Sequence, residues 1–174
     1  VIKEIADFTL SSKDVCKQEP VSLLATNSNP QNVSSYTWKF GDGVVFSDSS
    51  TATKHPYSKA AAYNITLIVK DVNGCFDSIT KPLAVEVYGP TAAFHSAVPG
   101  TCLNSAVSFS DSSYTDGIHN IQKWNWSWGD GRVEADSVAP FNHSYSAPGN
   151  YSVSLVVTDS KGCTSTASVL ITQP

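Results

Sequence analysis

Methionine is absent from the 174 residues, charged side chains make up only 15%, and no apolar run extends beyond a few residues. A membrane-spanning helix needs roughly 20 consecutive apolar residues, so membrane insertion is not expected. Eleven Lys and Arg against fifteen Asp and Glu give a net charge of -4. Without a basic cluster the chain cannot build the positive surface that phosphate backbones require, which excludes nucleic acid as a partner. The first residue is Val1, and no basic and apolar signal-peptide pattern follows it, so the chain reads as a fragment or a mature product. Helix-period segments of useful length are lacking too. What is present is 41% hydrophobic and 10% aromatic content, enough for a packed core and too much for a disordered chain.

The chain repeats itself. Offset by 86, Phe8, Cys16 and Val21 fall on Phe94, Cys102 and Val107; two extra residues then raise the offset to 88. From there Trp38 meets Trp126, Gly41-Asp42-Gly43 meets Gly129-Asp130-Gly131, and His55 and Tyr57 meet His143 and Tyr145. Tyr63, Leu67, Val69, Asp71, Gly74 and Cys75 then meet Tyr151, Leu155, Val157, Asp159, Gly162 and Cys163. So many rare residues in one order indicate a tandem of two homologous units, 1–88 and 89–174. Residues 1–88 carry 8 basic and 9 acidic side chains and residues 89–174 carry 3 and 6, so neither unit presents a strong field.

Tyr63, Ile65, Leu67 and Val69 alternate with Asn64, Thr66, Ile68 and Lys70, and Tyr151, Val153, Leu155 and Val157 alternate in the same way. Period two predicts strands with one buried face. Tyr36, Trp38 and Phe40 share a face, as do Trp124, Trp126 and Trp128. Short strands separated by Gly, Pro, Asn, Asp and Ser clusters predict an all-β protein of two tandem antiparallel sandwiches.

Three segments taken in order, Trp38-Lys39-Phe40-Gly41-Asp42-Gly43, His55-Pro56-Tyr57 and Tyr63 to Val69, resemble the polycystic kidney disease (PKD) domain. Trp126-Ser127-Trp128-Gly129-Asp130-Gly131, His143-Ser144-Tyr145 and Pro148 to Val157 repeat the pattern, so the resemblance covers essentially the whole chain. One departure is Ala61, where the family usually has the Gly that Gly149 keeps. The resemblance implies immunoglobulin-like β-sandwiches in extracellular, multidomain proteins. A Cys before the second strand and a Gly-Cys near the last hairpin look like the version in large secreted and surface proteins of gliding or polymer-degrading bacteria.

Four cysteines allow three connectivities, and the repeat favours one bridge within each unit: Cys16 to Cys75 and Cys102 to Cys163. Closing a loop of about 60 residues contributes about 4 kcal/mol in the chain-entropy model. No close Cys pair suggests a zinc or redox centre, and disulfides place the protein outside the cytosol. Asp42 and Asp130, each between two glycines, are read as turn residues rather than catalytic carboxylates. No paired carboxylates of a glycosidase and no G-x-S-x-G turn are visible. His55 and His143 share a strand face with Tyr57 and Tyr145 and are read as structural, while His95 and His119, without counterparts, are read as surface residues. Trp126 and Trp128 are assigned to the core. Trp124 is the ring left for ligand contact.

Some PKD domains bind calcium through Asp residues ahead of the Trp strand, and Asp111 and Asp116 are candidate ligands at that position; otherwise no cofactor is expected. The functional expectation is a non-catalytic spacer, adhesive or partner-binding stretch of a larger chain. Its partners would be neighbouring domains and an extracellular glycan or protein. The alternative is an accessory substrate-binding module, for carbohydrate or protein, of a secreted hydrolase. The short joint Tyr88-Gly89-Pro90-Thr91 favours an end-to-end monomer, because Pro90 fixes its own dihedral and biases Gly89 toward extension.

Overall fold

The computed structural model describes residues 4–26, 28–97, 105–135 and 140–173. It divides into two compact units, Val1–Tyr88 and Gly89–Pro174. In the first, β1 (Asp7–Leu10), β3 (Pro20–Thr26) and β6 (Ala52–Pro56) form one sheet in the order β1-β3-β6. The second sheet combines β2 (Asp14–Cys16), β4 (Val33–Lys39), β5 (Val45–Asp48), β7 (Ala61–Asp71) and β8 (Phe76–Tyr88) in the order β2-β8-β7-β4-β5.

The second unit repeats this plan with β9 (Phe94–Ala97), β10 (Ala106–Asp111) and β13 (Phe141–Ser144) in one sheet. Its other sheet holds β11 (Ile121–Ser127), β12 (Val133–Glu134), β14 (Gly149–Asp159) and β15 (Thr164–Gln173). Each unit is thus a two-sheet β-sandwich, as the alternation predicts, and of the immunoglobulin-like kind that the family resemblance implies. Among the described residues only β2 pairs in parallel, running Asp14 to Cys16 beside Glu86 to Tyr88. Three residues are too few for period two to reveal.

Alternation decides which side chains meet between the sheets. Along β7, Tyr63, Ile65, Leu67, Val69 and Asp71 are buried, and along β14 Val153, Leu155, Val157 and Asp159 are. In the first unit Phe8 and Leu23 of one sheet face Trp38, Ile65 and Leu67 of the other within one core. The Phe8 ring meets Trp38 edge-on at 5.4 Å. In the second, Phe109 of β10 packs against Trp128 at 5.0 Å, and Phe94 of β9 against Trp126 at 5.1 Å. Trp38, Trp126 and Trp128 are all buried, so the tryptophan strands supply core. Each large side chain so buried contributes about 1.5–3 kcal/mol.

The cysteines depart from the repeat-based expectation. Cys75 carries an exposed free thiol, whereas Cys16 and Cys163 are disulfide-bonded; a Cys16–Cys75 bridge is therefore not formed. The reason lies in β8. Cys16 pairs with Tyr88 at the far end of that 13-residue strand, while Cys75 precedes Phe76 at its start. A strand rises about 3.3 Å per residue, which sets the two tens of ångströms apart, against the ~7 Å Cα separation a disulfide tolerates. Cys102 lies outside the described residues. Maleimide added to the native, unreduced protein should label Cys75, with Cys16 and Cys163 reacting only after reduction. Peptide mapping that finds Cys75 protected would contradict this arrangement.

Candidate functional site

The motif residues of each unit converge on one end of its sandwich. After β4 the chain turns at Gly41-Asp42-Gly43, and Gly41 has a φ of +89°. A Cβ there would stand 2.5 Å from the carbonyl oxygen of Asn64 on β7. Gly129, with φ +81°, would put a Cβ 2.7 Å from both the amide nitrogen and the carbonyl oxygen of Ser152 on β14. Glycine is required here twice over, for the left-handed backbone and for the close approach of two chains. Gly43 and Gly131 also have positive φ but face open space, so only the dihedral selects them.

The aspartate between these glycines serves two partners. Asp42 Oδ1 accepts the Val44 N–H at 3.0 Å, closing the turn, and Oδ2 pairs with His55 Nε2 at 2.7 Å. In the second unit Asp130 Oδ1 accepts the Arg132 N–H at 3.0 Å and Oδ2 pairs with His143 Nε2 at 2.8 Å. The turn role matches the sequence reading; the imidazole partner, 13 residues away, is a finding of the structure.

Both histidines are buried and stacked. His55 lies on Phe40 at 3.9 Å with its edge toward Tyr57, and His143 lies on Trp128 at 4.8 Å with its edge toward Tyr145. The tyrosine rings extend the column onto Tyr63 at 4.3 Å and Tyr151 at 4.0 Å. The Tyr57 and Tyr145 hydroxyls donate to the carbonyls of Phe40 and Trp128, both at 3.0 Å. The motif W-x-[FW]-G-D-G followed by H-x-Y is therefore one hydrogen-bonded column locking the end of β4 or β11 to the strand carrying the histidine.

The electrostatics fit a locked structure. Burial alone would raise the Asp42 and Asp130 carboxyls, but hydrogen bonds from the turn amides and the histidine rings outweigh it and hold both below the ordinary 3.8. Burial, with Asp130 and Tyr151 nearby, pushes the Tyr145 hydroxyl up to about 12. Among the described residues no Ser, Thr or Cys side chain hydrogen-bonds either imidazole.

In the second unit a further polar group gathers ahead of the tryptophan strand. Asp116 Oδ1 accepts the N–H groups of Ile118 and His119, and Oδ2 accepts the N–H of Gly89 and pairs with His119 Nδ1 at 2.9 Å. These bonds overcome burial and hold the Asp116 carboxyl far below the usual carboxylate range. His119, read as a surface residue from sequence, is instead half-buried against Asp116. Its spacing of three residues from Asp116 was the available signal.

Asp159, at the end of β14, completes the group: ligand atoms of Asp116, His119 and Asp159 all lie within 4.8 Å of one another. Asp111 does not belong to it. Its Oδ1 accepts the Ser113 N–H and its Oδ2 the indole N–H of Trp124 at 2.8 Å. Trp124 itself is half-buried against the second core.

A family model described as PKD domain matches residues 3–87 and again residues 89–172. Among curated relatives, the pre-pro-metalloprotease PrtV of Vibrio cholerae is 27% identical over 158 residues, 89% of this chain and 16% of that protein. Collagenase ColA of Clostridium perfringens is 29% identical over 108 residues, 61% of this chain and 10% of that protein. The chain thus spans about a sixth or less of the length of these two relatives. Among solved structures, the PKD1 domain of the V. cholerae metalloprotease PrtV is 32% identical, covering 49% of this chain and 96% of that one, with a TM-score of 0.43.

Proposed function

The chain belongs to the PKD-domain family through both of its units, and from that premise we propose that it is a non-catalytic stretch of a larger extracellular protein. In this role it spaces neighbouring domains and presents its outer strands to a glycan or protein partner. The observation that carries this reading is the internal use of the chemistry-bearing motif residues: Asp42, His55, Asp130 and His143 are all spent on one another and on turn amides. A catalytic base needs a substrate-facing partner, and buried stacked imidazoles offer none. Disulfide bonding at Cys16 and Cys163 supports an oxidising, extracellular setting. No helix among the described residues is long and apolar enough to cross a membrane.

A second reading, an accessory substrate-binding module of a secreted hydrolase, is favoured by the names of its relatives, a metalloprotease and a collagenase. One set of measurements tests both. The purified chain, incubated with collagen, casein, insoluble polysaccharides and esters, should give no turnover. Turnover that disappears in His143→Ala or Asp130→Asn would overturn the non-catalytic reading. Co-sedimentation with fibrillar collagen, chitin and cellulose separates a binding role from spacing alone: retention on one of them supports a polymer-binding stretch under either reading, and recovery in the supernatant removes the accessory module for those polymers. Trp124→Ala should not change retention, because that ring is committed to the core and to Asp111.

A further inference from the structure

We propose that Asp116, His119 and Asp159 form a binding site in the second unit for a divalent cation of the zinc class. Three observations carry it. The potential ligand atoms of the three side chains already lie within 4.8 Å of one another. The Asp116 side chain is only 2% exposed and Asp159 only 3%. Asp159 Oδ1 accepts the N–H groups of Lys161 and Cys163 at 2.9 and 2.8 Å, while its Oδ2 is buried with no hydrogen-bond partner. A carboxylate oxygen left without a partner in a dry environment is costly, and a cation beside it removes that cost.

The donor set selects the metal. Calcium, the ion implied by the family resemblance, takes six to eight oxygen ligands. Of the two carboxylates expected to supply them, Asp111 is directed to Trp124 instead. The side chain that stands beside Asp116 is an imidazole, a ligand suited to zinc and its neighbours and poorly suited to calcium. One imidazole nitrogen and two carboxylate oxygens fill three positions of a four-coordinate ion, and water can take the fourth. Tetrahedral ligands at ~2.0 Å bonds stand ~3.3 Å apart; Asp116 Oδ2 and His119 Nδ1, now 2.9 Å apart, exchange their hydrogen bond for the ion, and the wider separations within the 4.8 Å group close onto it.

The first unit provides an internal control. Asp71, the counterpart of Asp159, has the same buried, partnerless Oδ2, but at the offset of 88 the positions of Asp116 and His119 hold Ser28 and Gln31. The lone oxygen is thus common to both hairpins, whereas the imidazole of His119 belongs to the second alone; in the first unit the Glu4 carboxylate bonds Asn29 and Asn32 instead.

Isothermal titration of the intact chain with zinc chloride should find one site that persists in Cys75→Ser, and saturation should raise the unfolding temperature of the second unit. Millimolar calcium chloride should neither produce the shift nor displace zinc. His119→Gln and Asp159→Asn should each weaken zinc binding tenfold or more; Asn keeps the Oδ1 acceptor of the hairpin, so folding is retained, as circular dichroism would verify. Cobalt(II) should give visible bands of tetrahedral intensity that His119→Gln abolishes. Absence of zinc binding, binding unchanged in His119→Gln, or calcium binding tighter than zinc would each overturn the proposal.

Discussion

Gly129→Ala should unfold the second unit roughly 15 °C below the unsubstituted protein, a large effect from the addition of a single carbon atom. The φ of +81° is a left-handed backbone that costs an L side chain about 1–2 kcal/mol. The new Cβ would also stand 2.7 Å from the backbone nitrogen and oxygen of Ser152, and backbone cannot swing away as a side-chain tip can. Separating β11 from β14 to relieve this contact would strain their register, so a total loss of about 3 kcal/mol is expected, at ~4–8 °C per kcal/mol for a domain of this size.

Gly131→Ala is the matched control. Its φ of +92° carries the same dihedral cost, but the added carbon meets nothing within 4 Å, so a loss of about 1–2 kcal/mol is expected. Trp124, Trp126 and Trp128 in the second unit, against Trp38 alone in the first, let fluorescence weight the relevant transition. Equal shifts from the two substitutions would show that the close approach to Ser152 carries no energy.

Asp130→Ala should cost the second unit about 2–3 kcal/mol, because one side chain satisfies both the Arg132 amide and the buried His143 ring. A double-mutant cycle with His143→Ala should return a coupling energy of about 1 kcal/mol or more; strict additivity would reduce Asp130 to a turn former. The same pair sets an acid limit. Asp42 and Asp130 have folded-state carboxyls depressed below the ordinary 3.8. Their contribution is therefore complete above the unfolded value and is lost as pH falls through the folded one. Stability against urea should decline below about pH 4 in the unsubstituted protein, and that decline should be shallower for the second unit of Asp130→Asn. An identical acid slope in the variant would remove Asp130 from the account.

The sandwich was legible because burial imposes period two along long strands. Tyr63 to Val69 and Val153 to Val157 alternate without interruption, and Trp38 and Trp126 occupy the buried phase of theirs. The column was only half legible. Spacing marked Asp42, His55 and Tyr57 as a repeated set, yet the Asp42–His55 contact depends on a hairpin bringing residues 13 apart to hydrogen-bonding distance, which local pattern does not encode. The cysteines misled for the converse reason. Equivalent places in a repeat suggest equivalent partners, but a disulfide obeys Cα separation, and the length of β8 keeps Cys16 from Cys75. His119 has no counterpart in the first unit, and Trp124 stands opposite Tyr36, whose hydroxyl bonds Ser28 rather than a carboxylate, so nothing in the repeat marked their ties to Asp116 and Asp111.

The two copies are also a record of what a duplicated gene can and cannot rewrite. Ala61 stands opposite Gly149 at the start of a strand, and Ser28 and Gln31 stand opposite Asp116 and His119 in the segment ahead of the tryptophan strand, so these positions have changed since the copies parted. Gly41 and Gly129 have not, and backbone proximity explains why. A side chain that outgrows its pocket can be accommodated by a second substitution that shrinks a neighbour, but Asn64 and Ser152 meet these glycines with main-chain atoms that every amino acid carries. No compensating change elsewhere is open to such a position. Drift therefore reaches it only through loss of the unit, which makes this glycine a fixed point from which further, more diverged copies could be placed in register.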